Sequence, residues 1–302
     1  MERILLVTNA EAGTNDETAV DEALAVLREH ADVKVAATTD AHQLHRVLAD
    51  RDGRDVVVVA GGDGSLHAVI RALSDNGDLS SPTLGLIPLG TGNDFARGVD
   101  IPLLPAEAAA VIVDGRTTKV DVLVDGEGGI VVNAVHVGVG AEAGREAAPW
   151  KWLGKLGYVV GAVKAGFKSR GHRMRVVADD TVLADGHRRV FQVGIANGPN
   201  IGGGTKLSPH ADPTDGSIDV LVSFSVKRRD RFLYGVHLKR GTHEERHDVR
   251  TVRARRVSVS GDGFWCNADG ELAGPITSRE WRLQPDAFAM RLPTPAQETL
   301  AE

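Results

Sequence analysis

Cysteine is almost absent from this sequence, and its absence excludes several classes of protein. The 302 residues include one cysteine, Cys266, so neither an internal disulfide nor a cysteine-based metal site can form. Aromatic residues make up only 4% of the chain, whereas the hydrophobic share of 42% and the charged share of 25% are ordinary for a globular protein. The length suffices for one large domain or for two of ordinary size.

Long hydrophobic runs are missing as well. No apolar stretch approaches the roughly 20 residues that span a bilayer, and the first apolar run breaks at Thr8, too soon for a signal peptide. We therefore expect a cytoplasmic protein that meets membrane only peripherally and transiently, at the inner membrane surface. The formal net charge of −6 argues against broad nucleic-acid binding, so we expect no nucleic acid as a partner.

Strand-like and helix-like segments alternate through the first third of the chain. The clearest strand is Val56–Ala60, a run of valines and an alanine that suits a strand buried on both faces of a parallel sheet. The alternation predicts an α/β domain with a doubly wound, mostly parallel sheet over residues 1–120. Its other predicted strands and helices are Ile4–Thr8, Val33–Thr38 and Leu84–Ile87, and Asp16–Glu29, Ala41–Ala49, Leu66–Leu73 and a helix from Phe95.

From about Val120 the sequence favours short strands punctuated by glycine and aspartate. This pattern predicts a C-terminal antiparallel, β-rich sandwich domain over residues 121–285, with helical interruptions near residues 150–168 and 230–239. One option is that the tail, about residues 286–302, returns to the first domain. The predicted strands are Val120–Val124, Ile130–Val137, Arg173–Ala178, Val190–Ala196, Ile218–Ser223, Arg256–Val259 and Phe264–Asn267.

A glycine-rich loop follows the valine strand and precedes a predicted helix: Gly61-Gly62-Asp63-Gly64-Ser65. The carboxyl edge of an open α/β sheet is where such folds bind ligands. Glycines bring N–H groups close to a phosphate, the helix N-terminus adds partial positive charge, and Ser65 can cap the helix. Asp63 would repel a phosphate unless Mg²⁺ or a proton donor stands between them. The plain alternative is an ordinary strand–helix turn.

A second loop repeats this logic after the next predicted strand. The segment Pro88–Arg97 contains, in order, Gly90, Thr91, Gly92, Asn93 and Asp94. Asn93 is the expected N-cap of the following helix, and Asp94 in the first turn favours the helix dipole. Two such loops on one sheet edge make a coincidence of ordinary turns a poor explanation.

Together the two loops resemble the diacylglycerol kinase catalytic-domain family, which includes sphingosine and ceramide kinases and is distantly related to NAD kinases. The family motifs G-G-D-G-[TS] and P-x-G-T-x-N-D-F-A-R stand at Gly61–Ser65 and Pro88–Arg97. The resemblance implies an ATP-dependent lipid kinase that transfers the γ-phosphoryl group of Mg-ATP in line to a lipid hydroxyl, such as that of diacylglycerol. It also implies that the lipid alcohol binds in the cleft between the domains.

The resemblance extends to the first two predicted strands and implies further nucleotide contacts there. Asn9 and Gly13 match the family's first nucleotide loop, although its usual proline is Ala10 here. Thr38 or Thr39 stands where the family places a nucleotide-contacting threonine.

The implied roles divide between backbone and side chains. Backbone groups of Gly62–Ser65 and Gly90–Gly92 would cradle the triphosphate, while Thr91 and the asparagine of the first loop position it. Asp63 and Asp94 would organise Mg²⁺, directly or through water. Phosphoryl transfer depends on such positioning and charge neutralisation more than on covalent chemistry.

The resemblance also covers the second domain. Glu271 would be the general base, with Asp269 as its neighbour in the D-G-E motif, and Asp121 would join a carboxylate network. A structural Mg²⁺ site is implied, in which the family uses one aspartate side chain and flanking backbone carbonyls. The positions that match this metal site are Asp212, Asp215 and Ser217. A further matched stretch, to which no role is assigned, contains Asn197, Gly202–Gly204 and Pro209. Without the family, Asp215-Gly216 and Asp269-Gly270 would be interpreted as turns.

Some features leave alternatives open. His67-Ala68 replaces the family's usual Asn-Glu, which puts the details of metal and adenine binding in doubt. NAD kinase-like phosphorylation of a soluble acceptor, or a non-catalytic nucleotide- or lipid-binding protein, are the rival hypotheses. The sequence does not decide which lipid is phosphorylated or whether the phosphate donor is ATP or GTP. It also does not decide whether the protein is a homodimer or a monomer.

Two segments bear on membrane contact. Pro149–Tyr158, which includes Trp150–Lys155, combines aromatic residues with lysines, as interfacial segments do, but it could equally be a helix packed on the second domain. The stretch Lys227–Arg256 holds eleven lysines and arginines against four acidic residues. It could hold anionic headgroups, or it could be an ordinary solvated surface.

Overall fold

The computed structural model describes residues 1–10, 14–138 and 171–294. The nucleotide contact expected at Gly13, the helical interruption expected near residues 150–168 and the interfacial segment 149–158 all lie outside the described residues. None of the helices described has the length and hydropathy of a membrane-spanning segment.

The chain divides into two compact units. Among the described residues, the first comprises Met1–Val120 and residues 287–294, and the second lies within Asp121–Asp286. The chain therefore passes between the units twice, and the first unit is built from both ends of the sequence.

The first unit is a parallel sheet with helices packed on it. Its strands lie in the order β2-β1-β3-β4 and all pair in parallel. The end of β16 (Glu271–Leu292) joins the sheet through Ala289 and Met290, which pair in parallel with β4. The elements are β1 (Glu2–Asn9), α1 (Thr14–His30), β2 (Ala31–Thr38), α2 (Ala41–Ala49), β3 (Val56–Gly61), α3 (Asp63–Asp75), β4 (Thr83–Pro88), α4 (Asp94–Gly98) and α5 (Pro105–Asp114).

Both faces of this sheet are covered, which confirms the doubly wound fold. Leu6 and Val58 share a buried core with residues of α1 and α5. Val7 and Val59, which point the opposite way on the same strands, line a cavity with residues of α2 and α3. The five apolar residues of β3 are all buried, as expected of a central parallel strand.

Helix α3 begins three residues before the predicted Leu66. It starts at Asp63, with Gly62 as N-cap. The prediction missed this start because the first turn carries no apolar periodicity. The prediction that Ser65 caps the helix is wrong, since Ser65 lies inside the first turn and donates its backbone N–H to the Gly62 carbonyl at 3.0 Å.

The second unit is antiparallel and β-rich, as predicted. Its main strands lie in the order β14-β13-β10-β7-β15-β16, and β8 and β9 extend from β15. Phe264 and Trp281 are fully buried in its core. The elements are the end of β5 (Arg116–Asp125), β6 (Ile130–Val131), β7 (Ala134–Gly138), β8 (His172–Ala178), β9 (Thr181–Val190), β10 (Gln192–Ala196), β11 (Asn200–Ile201), β12 (Thr205–Lys206), β13 (Ile218–Ser223), α6 (Arg228–Arg240), a 3₁₀ turn (His243–Glu245), β14 (Val249–Ala254), β15 (Arg256–Ala268) and the first part of β16.

Candidate functional site

The strands of the first unit end in register at one edge of the sheet. Asn9 of β1 pairs with Thr38 of β2, and Gly61 of β3 pairs with Pro88 of β4, while β1 lies beside β3. The carboxyl ends of parallel strands form the ligand-binding edge of such sheets. The predicted nucleotide contacts therefore lie side by side: Asn9, the threonines Thr38 and Thr39, and the two glycine loops.

The two glycine loops touch through their backbones. A Cβ built on Gly62 would lie 2.8 Å from Cα of Gly90, and one built on Gly90 would lie 2.6 Å from Cα of Gly62. Side chains do not approach backbone that closely, so neither glycine can be replaced unless the loops separate. The N–H of Leu89 also donates to the Gly61 carbonyl at 3.0 Å. Glycine at these two positions is therefore explained by packing between the loops.

Asp63 fastens the second loop to the first. Its carboxylate accepts the backbone N–H of Asp94 at Oδ2 and the backbone N–H of Phe95 at Oδ1, both at 3.0 Å. These N–H groups open α4, so Asp63 acts as the capping group of a helix that lies 31 residues further along the chain. The structure thus shows a positioning contact for Asp63 that its sequence motif does not reveal.

Asn93 occupies the N-cap position of α4 but does not cap it through its side chain. The residue is left-handed, with φ 52° and ψ 44°, and its Nδ2 donates to the Gly90 carbonyl at 2.7 Å. The side chain therefore braces the glycine loop, and the expected cap is supplied by Asp63 instead. Asp94 follows in the first turn and is 8% exposed.

A cavity of about 360 Å³ opens between the end of β1 and the start of α3. It brings together five predicted nucleotide contacts, Asn9, Thr38, Thr39, Gly64 and Ser65. Its size suits a small ligand, and its apolar walls with a few polar groups are typical of ligand sites. The loop Gly90–Asp94 is not in this lining. The apolar and small side chains of the lining are Val7, Ala41, Leu44, Val59, Ala60, Ala68, Val69 and Ala72.

Gly64 differs from its neighbours because nothing in the described structure requires a glycine there. A Cβ on Gly64 would meet no atom within 4 Å, and its φ is not positive. The residue lies in the first turn of α3 and lines the cavity. Helix N-termini attract anions through free N–H groups and the dipole, so the space over Gly64 suits a phosphate.

The sequence did not indicate the outer wall of the cavity, which α2 and the end of α3 supply. Asp40 begins α2, where its Oδ1 accepts the N–H of Gln43 at 2.9 Å, and this hydrogen bond lowers the pKa of the carboxyl group. His45 and Asp75 line the far end, with His45 Nε2 3.9 Å from the Asp75 carboxylate. The only sequence signal was the spacing of Ala41 and Leu44 on the apolar face of α2.

In the second unit, Asp269 anchors a loop. Its carboxylate accepts the backbone N–H groups of Val132, Asn133 and Ala134 at 2.5, 3.0 and 3.0 Å. Glu271, the predicted base, follows after one residue as the first residue of β16 and is exposed. The two carboxylates of the D-G-E motif therefore have different surroundings, because Asp269 serves the backbone whereas Glu271 faces solvent.

Buried polar side chains surround this anchored loop. Asn197 Nδ2 donates to the carbonyls of Asp121 and Val132 at 2.9 and 2.8 Å. Among the described residues, Oδ1 of Asn197, Oδ1 of Asn133 and Nδ1 of His136 have no hydrogen-bond partner. Burial lowers the pKa of His136 to about 4, and nearby Asp269 acts against that shift. Asn197 was expected from the family resemblance, whereas Asn133 and His136 were not; their only signal was a polar residue within the apolar stretch of residues 130–137.

Asp121 holds two turns of the second unit. Its carboxylate accepts the N–H of Gly216 and the N–H of Asp286, both at 2.8 Å. Burial raises the pKa of this carboxyl group, the two N–H bonds act against that shift, and the negative charges of Asp286 and Asp215 add to it. The structure thus places Asp121 among other carboxylates.

A guanidinium lies beside the aspartate that the resemblance assigns to the structural Mg²⁺. Asp215 Oδ1 accepts the N–H of Ser217 at 3.0 Å, and Asp215 Oδ2 forms an ion pair with Arg253. Asp212 Oδ1 accepts the N–H and hydroxyl of Thr214. Within residues 1–10, 14–138 and 171–294, no group of three histidine, cysteine or acidic side chains is placed to hold a metal. The carboxylate of Asp215 is thus paired with an arginine in this structure, and we derive no step through a cation here.

Comparison with known proteins defines the family of this chain. Residues 3–124 match the diacylglycerol kinase catalytic domain, and residues 133–291 match the YegS C-terminal NAD kinase beta sandwich-like domain. The chain belongs to the diacylglycerol kinase and YegS-like lipid kinase family, which confirms the resemblance carried by the two glycine loops.

Relatives cover nearly the whole chain. A protein of Stenotrophomonas maltophilia named "Probable lipid kinase YegS-like" is 31% identical over 302 residues, 95% of each chain. A diacylglycerol kinase of Mycobacterium tuberculosis is 30% identical over 247 residues, 78% of this chain and 77% of that one.

Solved structures show the same fold. The crystal structure of a diacylglycerol kinase from Bacillus anthracis has a TM-score of 0.74 at 21% identity, with 97% of each chain covered. A second structure from that organism reaches a TM-score of 0.79 at 24% identity and covers 97% and 98% of the two chains. At these identities the likeness shows the fold alone.

Proposed function

We propose that this protein transfers the γ-phosphoryl group of Mg-ATP to the hydroxyl of a lipid such as diacylglycerol. The observation that carries the proposal is the cavity beside Gly64, where predicted nucleotide contacts from three strands converge next to two interlocked glycine loops. The family membership supplies the lipid as the class of acceptor.

The triphosphate is assigned to the start of α3. The intrahelical bonds begin with the N–H groups of Ser65 and Leu66, both to the Gly62 carbonyl. The N–H groups of Asp63 and Gly64 precede this ladder and are the ones that an α-helix leaves for a ligand. Because no side chain stands over Gly64, a phosphate can approach these N–H groups closely.

Asp63 and Asp94 have different parts in the proposal. Both oxygens of Asp63 already accept backbone N–H bonds, so its first part is to position the second loop. Asp94, in the first turn of α4, is assigned to the Mg²⁺ that accompanies ATP, together with the hydroxyl of Thr91 on the phosphates. Mg²⁺ bound to the phosphates neutralises the charge that develops during transfer.

Glu271 is assigned as general base. As the lipid oxygen attacks the γ-phosphorus, its proton passes to the Glu271 carboxylate, the new P–O bond forms, and the bond to the β-phosphate oxygen breaks to release ADP. Asp269 is a positioning residue in this account, since its three N–H bonds fix the turn that precedes Glu271.

A test of the acceptor class uses γ-labelled ATP, Mg²⁺ and a panel of acceptors. Diacylglycerol, a sphingoid base and an isoprenoid alcohol are presented in mixed micelles, and NAD serves as the soluble acceptor. We expect label in an organic-extractable product. Label in NADP alone would assign the protein to soluble-acceptor chemistry, and label in no product, with ATP still bound, would favour the non-catalytic hypothesis.

A further inference from the structure

Helix α6 carries an exposed stripe in which an aromatic ring stands between cationic side chains. Arg228, Phe232, Gly235 and Lys239 are all exposed and are spaced by four, three and four residues, so they follow one another along one face. Phe232 is 71% exposed. A Cβ on Gly235 would meet nothing within 4 Å, so the middle of the stripe is open down to the helix backbone.

The opposite face of α6 fixes its orientation. Tyr234 is buried with Phe191, Leu221 and Val249 in a small apolar cluster, and its ring meets that of Phe191 edge-on at 5.8 Å between centroids. Leu238 packs against the same cluster. Because these side chains hold the helix to the second unit, the stripe with Phe232 is left on the solvent side.

The positive charge of this segment is concentrated on α6. Within the part of the chain that the structure describes, none of the cations at the two ends of the helix forms an ion pair: Lys227, Arg228, Arg229, Lys239 and Arg240. Three cations elsewhere in the segment do form ion pairs, namely Arg246 with Asp248, Arg253 with Asp215 and Arg256 with Glu280. A chain with a net charge of −6 thus presents, within its described residues, five cations without ion pairs at the two ends of one helix.

The cations at the start of α6 do not stabilise the helix in the free protein. Lys227 is the N-cap without a capping hydrogen bond, and Arg228 and Arg229 follow in the first turn, where the helix dipole disfavours positive charge. Asp230 is the one acidic residue of that turn. Burial lowers the pKa of Arg231, and the positive charge of Arg228 adds to that shift, which shows the same repulsion. An external anion would turn each of these unfavourable placements into a favourable one.

We propose that the exposed face of α6 docks this lipid kinase onto an anionic phospholipid bilayer. The inference rests on the proposed function in that the acceptor is a lipid. The helix is about 20 Å long and would lie along the bilayer surface. Phe232 enters the boundary between headgroups and acyl chains, where aromatic rings are favoured, and the cations at both ends contact headgroup phosphates.

The test measures vesicle binding in the absence of ATP. Full-length protein is sedimented with vesicles of phosphatidylglycerol and phosphatidylcholine, and with vesicles of phosphatidylcholine alone. We expect binding to the anionic vesicles only, weakened by salt. The double variant Arg229→Glu/Lys239→Glu should bind at least about 25-fold more weakly, since each cation near an anionic surface contributes about fivefold. Its matched control, Arg28→Glu/Lys34→Glu, carries the same charge change on the first unit and should bind as the wild type does.

The aromatic contribution is tested separately. Phe232→Ser should weaken binding by about tenfold, because the ring no longer leaves water. Leu104→Ser is its control, since Leu104 is also 61% exposed but lies in the first unit. Folding of every variant is checked by thermal unfolding, and a variant that does not fold is replaced by the milder Arg229→Gln/Lys239→Gln or Phe232→Leu.

Two outcomes would overturn the docking proposal. One is wild-type binding by the charge-reversed variant, and the other is that a short DNA or RNA duplex binds more tightly than anionic vesicles with the same dependence on these residues. Failure of the proposed function is distinguishable, because phosphorylation is assayed in neutral detergent micelles that do not need the docking face. There the α6 variants should keep wild-type activity, whereas loss of all lipid phosphorylation with intact vesicle binding would leave the docking result standing.

Discussion

The carboxylate of Asp63 accepts the backbone N–H of Asp94 at 3.0 Å, so the first residue of α3 holds the first residue of α4. The two glycine loops are joined again by the contact between Gly62 and Gly90. Two sequence motifs that lie about 30 residues apart are therefore one structural unit. A change in either motif should be felt at both.

Replacing Asp63 tests this connection. In Asp63→Asn an NH₂ group faces one of the two N–H donors, so we expect the free energy of unfolding to fall by about 1–2 kcal/mol. We also expect phosphorylation to fall by about 100-fold, since the loop that carries Thr91 and Asp94 loses its fixed position. Urea unfolding and label transfer measure the two effects. Asp21→Asn, an exposed change on α1, is the control, and full activity in Asp63→Asn would remove this residue from the proposed site.

Substitutions at Gly62 and Gly64 test separately the packing of the first glycine loop and its proposed contact with phosphate. Gly62→Ala forces the loops apart and should cost about 1–3 kcal/mol of stability. Gly64→Ala meets no atom and replaces a helical glycine, so stability should stay the same or rise slightly. Its methyl group occupies the space proposed for phosphate, and we expect KM for ATP to rise about tenfold. Gly235→Ala, at another open helical glycine, should leave KM unchanged, and an unchanged KM in Gly64→Ala would contradict the phosphate assignment.

The fold was largely predictable because the spacing of apolar residues along the chain reflects which side chains are buried. The four valines of β3 are covered on both faces, and the change to short strands after Val120 coincides with the antiparallel unit. The start of α3 was not predictable in this way, because Asp63, Gly64 and Ser65 are polar. Helix α5 was missed as well, although Pro105 at its start is a known signal.

The site was predictable only where side-chain chemistry follows from the motif itself. The sequence indicated at which loops to expect a nucleotide, and the register of the strands brings those loops together. It could not show that Asp63 caps a distant helix or that Asn93 braces a loop, since both depend on contacts between separate segments. The polar atoms of Asn133 and His136 were missed because a polar residue within an apolar stretch is compatible with either a buried or an exposed side chain.

Buried His136 predicts a loss of stability in acid. Its pKa falls from 6.5 in the unfolded chain to about 4 in the fold, so the unfolded state binds the extra proton between these values. The resulting stability is fully present above the unfolded pKa and is lost as pH falls towards the folded pKa. We expect a loss of about 2 kcal/mol on going from neutral pH to about pH 5.

His136→Gln should reduce this pH dependence, which urea unfolding across the pH series measures. His243, whose pKa burial also lowers, contributes in the same direction, so part of the slope remains. The control is His30→Gln, an exposed histidine on α1, which should leave the slope as it is. An unchanged slope in His136→Gln would show that His136 is not the titrating group.

The ion pair of Asp215 with Arg253 predicts how stability responds to metal removal. Because a guanidinium already neutralises this carboxylate, EDTA should leave the thermal midpoint of unfolding unchanged. Arg253→Ala frees the carboxylate, and Mg²⁺ should then raise the midpoint by preferential binding to the folded state. Arg282→Ala, an exposed arginine on β16, is the control. A large drop of the wild-type midpoint in EDTA would instead support the Mg²⁺ site that the family resemblance implies.

The measurement that bears most directly on the proposed kinase activity compares the wild type with Glu271→Gln in label transfer from γ-labelled ATP to diacylglycerol. The proposed mechanism predicts that kcat falls by about 100-fold or more, because no carboxylate accepts the lipid proton, while KM for ATP stays the same. Glu245→Gln, another exposed carboxylate of the second unit, should behave as the wild type. Wild-type kcat in Glu271→Gln would contradict the assigned base, and the absence of labelled lipid with the wild type would contradict the proposed reaction.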